Sequence, residues 1–160
     1  MTIQVGDTLP SINLTTMTDE GPKPVSMTEI SSGKKVVLFA VPGAFTPTCS
    51  VQHLPGFLEK NSELKEKGVD VIACVSVNDP FVMKAWGEDR NVGDDVMMLS
   101  DGNGEFTASI GLEMDGSGFG LGTRSQRYAM IIDDGVVSAL NVESGPGLDV
   151  SSAETILEQL

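Results

Sequence analysis

Unbroken apolar runs alternate, through the middle of the chain, with stretches where apolar residues return every three or four positions. The run Lys34-Lys35-Val36-Val37-Leu38-Phe39-Ala40-Val41 has no polar alternation after its two lysines, as expected of a strand buried on both faces of a parallel sheet. From Thr48 to about Lys67, Leu54, Phe57, Leu58 and Leu64 recur at helical spacing, and Glu59, Lys60, Glu63, Lys65 and Glu66 supply a wet side. Pro55 predicts a kink inside this helix, and Gly68 its end. A second buried strand follows at 69–77. Asn78-Asp79-Pro80 then caps a helix running to about Arg90, before a third strand at 96–99 and a short helix at 105–110.

The two ends of the chain read differently. Residues 1–33 are rich in turn formers, and the alternation Ser11-Ile12-Asn13-Leu14-Thr15 predicts a short half-exposed strand within a hairpin or extended lead-in. Near the other end, 127–132 and 136–142 are apolar runs around Asp133-Asp134-Gly135, where Asp-Gly is a strong hairpin signal. A closing helix at 151–160 starts with Ser151, Ser152 and Glu154 as cap material. The expectation is α/β: one domain over 1–160, with a central mixed β-sheet flanked by helices.

Composition narrows the function classes. A formal charge of −13 and a pI near 4.2 argue against an electrostatic grip on nucleic acid or an anionic membrane. No apolar stretch approaches the ~20 residues of a membrane span, and no leader pattern opens the chain, so a cytoplasmic protein is expected. Two cysteines and one histidine, with no Cys-x-x-Cys pair, do not make a zinc site. Gly116-Ser117-Gly118-Phe119-Gly120-Leu121-Gly122 precedes a strand, so it reads as a flexible loop and not a dinucleotide fingerprint. Asp101-Gly102-Asn103-Gly104-Glu105 lacks the glycine of a calcium loop and reads as a turn. Met97, Met98, Met130 and Trp86 read as packing residues.

One segment carries chemistry. Val41-Pro42-Gly43-Ala44-Phe45-Thr46-Pro47-Thr48-Cys49-Ser50 puts a single cysteine after a buried strand, in the first turn of a helix. Unpaired backbone N–H groups and the helix dipole favour a thiolate there, and the thiolate is the nucleophile. A buried cysteine is more often a small hydrophobe. Here Pro42 and Gly43 end the strand, Pro47 suits a first helical position, and Thr46 and Thr48 offer hydroxyls at the entrance, which together favour a shaped site. His53, four residues on and on the same face, reads as a neutral packing histidine, with tuning of the thiol as the alternative.

The stretch from Pro42 to Ser50, with His53-Leu54-Pro55-Gly56-Phe57, resembles the active-site segment of peroxiredoxins of the type II and atypical two-cysteine subgroup. The segments 75–86 and 122–128 resemble that subgroup too, in the same order and spacing. The resemblance implies a thioredoxin-like fold, which the element order also matches. It implies a thiol peroxidase that reduces hydrogen peroxide and alkyl hydroperoxides without metal, haem or flavin. Cys49 would be the peroxidatic residue, Thr46 and Arg124 would complete the motif, and Pro42 would shield the thiolate. Arg124 would be a permanent cation near the sulfur and a fork of donors toward the peroxide.

A sulfenic acid on Cys49 must be resolved by a second thiol. Cys74 lies at a strand position where some type II relatives carry one; a mid-strand thiol reads as buried and inert, which leaves glutathione, glutaredoxin or thioredoxin as reductant, with a Cys49–Cys74 disulfide formed by local unwinding of the helix as the alternative. A homodimer is implied by the family alone. The rival reading from another class is a peroxide sensor or relay that passes oxidation from Cys49 to a partner protein.

Overall fold

A computed structural model describes residues 2–145 and 147–160. In chain order its elements are β1 (Asn13–Thr18), β2 (Gly21–Ser26), α1 (Met27–Ser31), β3 (Lys35–Ala40), a π-helical turn (Cys49–His53), α2 (Leu54–Glu59), α3 (Asn61–Glu66), β4 (Val71–Ser76) and α4 (Pro80–Asp89). They continue with β5 (Met97–Ser100), α5 (Glu105–Ser109), β6 (Glu113–Asp115), β7 (Thr123–Ser125), β8 (Tyr128–Asp133), β9 (Val136–Val142) and α6 (Ala153–Gln159). A seven-stranded sheet runs β2-β1-β5-β4-β3-β8-β9, with β3, β4 and β5 parallel and the strands at both flanks antiparallel. This is the mixed, thioredoxin-like sheet with flanking helices that the pattern predicts.

Two apolar layers sandwich the sheet, and strand alternation divides residues between them. Val36, Leu38 and Ala40 face one layer with Met27 and Ile30 of α1 and Phe106 of α5. Val37, Phe39 and Val41 face the other, with Leu54, Phe57, Leu64, Met83, Trp86 and Ile156 from the remaining helices. Cys49 and Cys74 both lie in this second layer.

Several elements depart from the sequence expectation. β2 contains Pro22 and Pro24, yet it is an edge strand, where a missing N–H breaks no ladder bond. The five-residue α1, capped by Ser26 accepting from Glu29 N–H, is too short to show a period. The single helix expected over 48–67 comes in pieces: Leu54 N–H reaches back five residues to Cys49 O, and the helix breaks again at Lys60. The widened turn lies just ahead of Pro55, where it removes the clash between the ring and the carbonyl four residues earlier. The glycine-rich segment 116–122 is the connection between β6 and β7, which pair as an antiparallel ribbon on either side of it, and it holds one short 3-10 turn at Ser117–Phe119. Met130 is buried as expected, but Met97, 36% exposed, is a surface residue near the end of a short strand. The hairpin forms at the expected place, where Asp134 (φ 47°) and Gly135 (φ 83°) make its two-residue turn between paired Asp133 and Val136.

Candidate active site

Beyond Val41 the chain crosses the end of the sheet in a tight turn before the helix begins at Pro47. The turn is pinned from two sides: Ala44 N–H donates to Asn78 Oδ1 at 3.0 Å, and Thr46 Oγ1 donates to Gly43 O at 2.7 Å. The Thr46 hydroxyl therefore points back into the turn instead of capping the helix. Its oxygen lone pairs remain able to accept a hydrogen bond. Gly43 leaves room for this packing: a Cβ there would meet Arg124 Nη1 at 2.7 Å and Thr46 Cγ2 at 3.1 Å, so a side chain would push the guanidinium aside. Phe45 has φ 65°, a conformation that costs a non-glycine residue about 1–3 kcal/mol. Its half-exposed ring lies against Trp86, with centroids 6.5 Å apart.

The π-helical turn buries Cys49, Ser50 and His53 on its inner face. Trp86 Nε1 donates to Ser50 Oγ at 2.9 Å and ties the turn to α4. Arg127 Nη2 donates to Cys49 Sγ at 3.1 Å, and Arg127 Nη1 lies 2.9 Å from His53 Nδ1. A guanidinium only donates, so Nδ1 must be the accepting nitrogen and the proton sits on Nε2, which donates to Ser151 O at 2.9 Å. His53 is thus neutral. Burial first, and the Arg127 charge second, push its pKa down to about 3, against a smaller upward pull from Ser151 O and Glu143.

Arg127 is itself buried, and among the described residues no carboxylate lies within ion-pair distance of it. A buried cation is costly unless an anion faces it. Beside His53 Nδ1, the acceptor that faces it is the Cys49 sulfur.

Of the residues expected at the site, Pro42, Thr46 and Cys49 share the turn and the helix entrance. Arg124 lies beside them but faces elsewhere: its Nη1 donates to Pro42 O at 3.1 Å and its Nε to Leu121 O at 3.0 Å. It splints the turn to the β6–β7 ribbon. Arg124 was expected as a cation near the sulfur, but the guanidinium that contacts the sulfur is that of Arg127, which the sequence reading passed over. Strand register could have found it. Tyr128 pairs with Ala40 at the end of β3, so the residue just before Tyr128 stands where the cysteine turn begins. His53, expected to pack, packs and also clasps Arg127.

Residues 4–157 match the family model described as Redoxin. The chain is also 51% identical over 159 residues to Peroxiredoxin-2B of Arabidopsis thaliana, across 99% of this chain and 98% of that protein. The chain belongs to the peroxiredoxin family. A second relative is the chloroplastic Peroxiredoxin-2E of the same plant, 54% identical over 99% of this chain and 69% of that protein. Among solved structures, reduced Prx3 of Vibrio vulnificus in complex with H2O2 is 58% identical, with a TM-score of 0.94 over 98% of both chains. As a peroxiredoxin, the protein is a thiol-dependent peroxidase.

The other thiol of this peroxiredoxin has no such setting. Cys74 sits in mid-strand between Phe39 and Met98, without exposed surface. Burial pushes its thiol well above the usual range, charge on Cys49 pushes the same way, and Arg127 opposes both more weakly.

Proposed function

We propose that Cys49 is the peroxidatic nucleophile and that Arg127 is the group that activates it. The observation that carries this is the 3.1 Å contact to the sulfur from a buried guanidinium that no carboxylate pairs among the described residues. The Sγ electron pair attacks one peroxide oxygen, and an S–O bond forms as the O–O bond breaks. The departing oxygen takes up a proton and leaves as water or an alcohol. Cys49 is oxidised to the sulfenic acid as the peroxide is reduced. Arg127 favours the attacking anion and faces the charge that develops on the leaving oxygen. Thr46 Oγ1 accepts from the substrate O–H, Pro42 covers the sulfur, and Arg124 holds Pro42 in place.

An external thiol of the glutathione, glutaredoxin or thioredoxin kind completes turnover. It condenses with the sulfenic acid, expelling water to give a mixed disulfide, and a second thiol then releases Cys49. Burial of Cys74, and the upward shift it causes, support its exclusion from this role. Dimedone added with one equivalent of peroxide should appear by mass spectrometry on the Cys49 peptide. Cys49→Ser should consume no peroxide, while Cys74→Ala turns over with an external thiol. An adduct elsewhere, or a Cys49–Cys74 disulfide as the main product, contradicts the assignment.

The peroxiredoxin also pairs with a second copy of itself, on this reading. Phe45, Phe81 and Phe119 are exposed by 52%, 62% and 88%; the cysteine turn that carries Phe45 is hydrogen-bonded to Asn78, three residues before Phe81, and to Arg124 at the end of the loop that carries Phe119, and solvent-facing aromatics on such linked segments favour an interaction surface. Sedimentation equilibrium should give a dimer that Phe119→Asp weakens; a monomer at tens of micromolar overturns it.

A further inference from the structure

The contact between Arg127 and the sulfur does not end the chain of hydrogen bonds. His53 Nε2–H donates to Ser151 O, and Ser151 is held by one carboxylate: Glu143 Oε2 accepts from Ser151 N at 2.8 Å, from Ser151 Oγ at 2.6 Å and from Asp149 N at 2.8 Å. Glu143 N–H in turn donates to Arg127 O at 2.9 Å. The same residue therefore grips the backbone of Arg127 and, through Ser151, the far side of the imidazole that grips its guanidinium. Ser151 and His53 are buried, while Glu143 is half-buried just past the end of β9.

We propose that Glu143 is a positioning residue for the peroxidase site: by fixing Ser151 O it selects the Nε2–H tautomer of His53 and so aims Arg127 at Cys49. The inference rests on the role given above to Arg127. A neutral imidazole has one donor and one acceptor, and which nitrogen donates is set by the partner of the other. With Ser151 O held in place, Nε2 must donate and Nδ1 must accept from Nη1. If Ser151 O withdraws, the proton can move to Nδ1, where it faces the Arg127 N–H and displaces the guanidinium. Burial alone opposes charge on His53 but does not choose between its neutral tautomers.

His53 is the only histidine in the chain, so its tautomer can be read without ambiguity. In the reduced full-length protein labelled with 15N-histidine, the two-bond proton–nitrogen spectrum should show Nε2 protonated. Glu143→Ala should move the nitrogen shifts toward the Nδ1–H form or an average. It should also slow oxidation of Cys49 by hydrogen peroxide about tenfold, and lower Cys49 alkylation at pH 7 relative to pH 10. Glu143→Gln, which keeps an acceptor oxygen, should restore most of each. Ser151→Ala, which removes only the hydroxyl, should shift all three slightly in the same direction and serves if Glu143→Ala does not fold. Tautomer and oxidation rate must move together; a change in either one alone, or in neither, overturns the proposal. The spectrum does not depend on peroxidase chemistry, so it separates failure of this inference from failure of the Cys49 assignment.

Discussion

Cys49 and Cys74 sit in the same apolar layer without exposed surface, and they differ in what faces the sulfur. Around Cys74 are strand neighbours Phe39 and Met98, so ionising the thiol would put a charge into hydrocarbon. Against Cys49 stands Arg127, itself braced by His53 and Ser151. Depth does not separate the two thiols; a guanidinium hydrogen-bonded to the Cys49 sulfur and held through its other Nη by His53 does. The layer is therefore apolar at one cysteine and carries at the other a hydrogen-bonded chain of three side chains, Cys49, Arg127 and His53.

The largest effect should come from making the two environments alike. Arg127→Met keeps the length of the side chain and removes the donor, and losing a donor of this kind costs about 10²–10³ in rate. Peroxide oxidation of Cys49, followed by stopped flow, should fall by about a hundredfold, whereas Arg124→Met should fall less than about tenfold because it loosens Pro42 and leaves the sulfur contact. Equal losses in the two variants would mean that proximity of any arginine suffices.

Acid provides a smaller effect that sharpens the contrast. His53 titrates near 6.5 when unfolded and only near 3 when folded, so between those values the unfolded chain binds a proton that the native protein refuses. Native stability should therefore be intact above about pH 6.5 and fall as pH drops below it, by about 1.4 kcal/mol per unit from this one group. Urea unfolding between pH 7 and pH 5 should show a loss of about 2 kcal/mol that His53→Gln abolishes. Glu143, where burial pulls upward but hydrogen bonds from Ser151, Asp149 and Val150 win, is held below its ordinary 4.5, so it adds its own loss only at lower pH. A flat profile from pH 7 to 5 in the unsubstituted protein would show that His53 accepts a proton in place.

The fold was legible wherever burial imposed a period. Residues 36–41, 71–75 and 128–132 are apolar because helices cover both faces of those strands, and Asp134-Gly135 marks its own turn by needing positive φ twice. Of the two readings of residues 1–33 the hairpin is the one that forms, as β1–β2, while the bounds of edge strand β2 were hidden, since Pro22 and Pro24 deny it a strand's composition and the edge tolerates them. The location of the site was legible for a similar local reason: Pro42, Gly43, Pro47 and Cys49 are neighbours in sequence. The arginine was not. Arg124 and Arg127 lie in one short polar stretch, both beside the cysteine turn, and only the pairing of Tyr128 with Ala40 decides which side chain reaches the sulfur. Long-range register, invisible in a linear pattern, made that choice.

The most direct test of the central claim is a competition between the two thiols within one molecule. Reduced native protein is treated at pH 7 with less than one equivalent of iodoacetamide, and the labelled peptides are quantified by mass spectrometry. The label should sit on Cys49, with Cys74 modified only after denaturation. Comparable labelling of both, or preference for Cys74, would contradict the view that Arg127 makes one buried sulfur reactive and leaves the other inert.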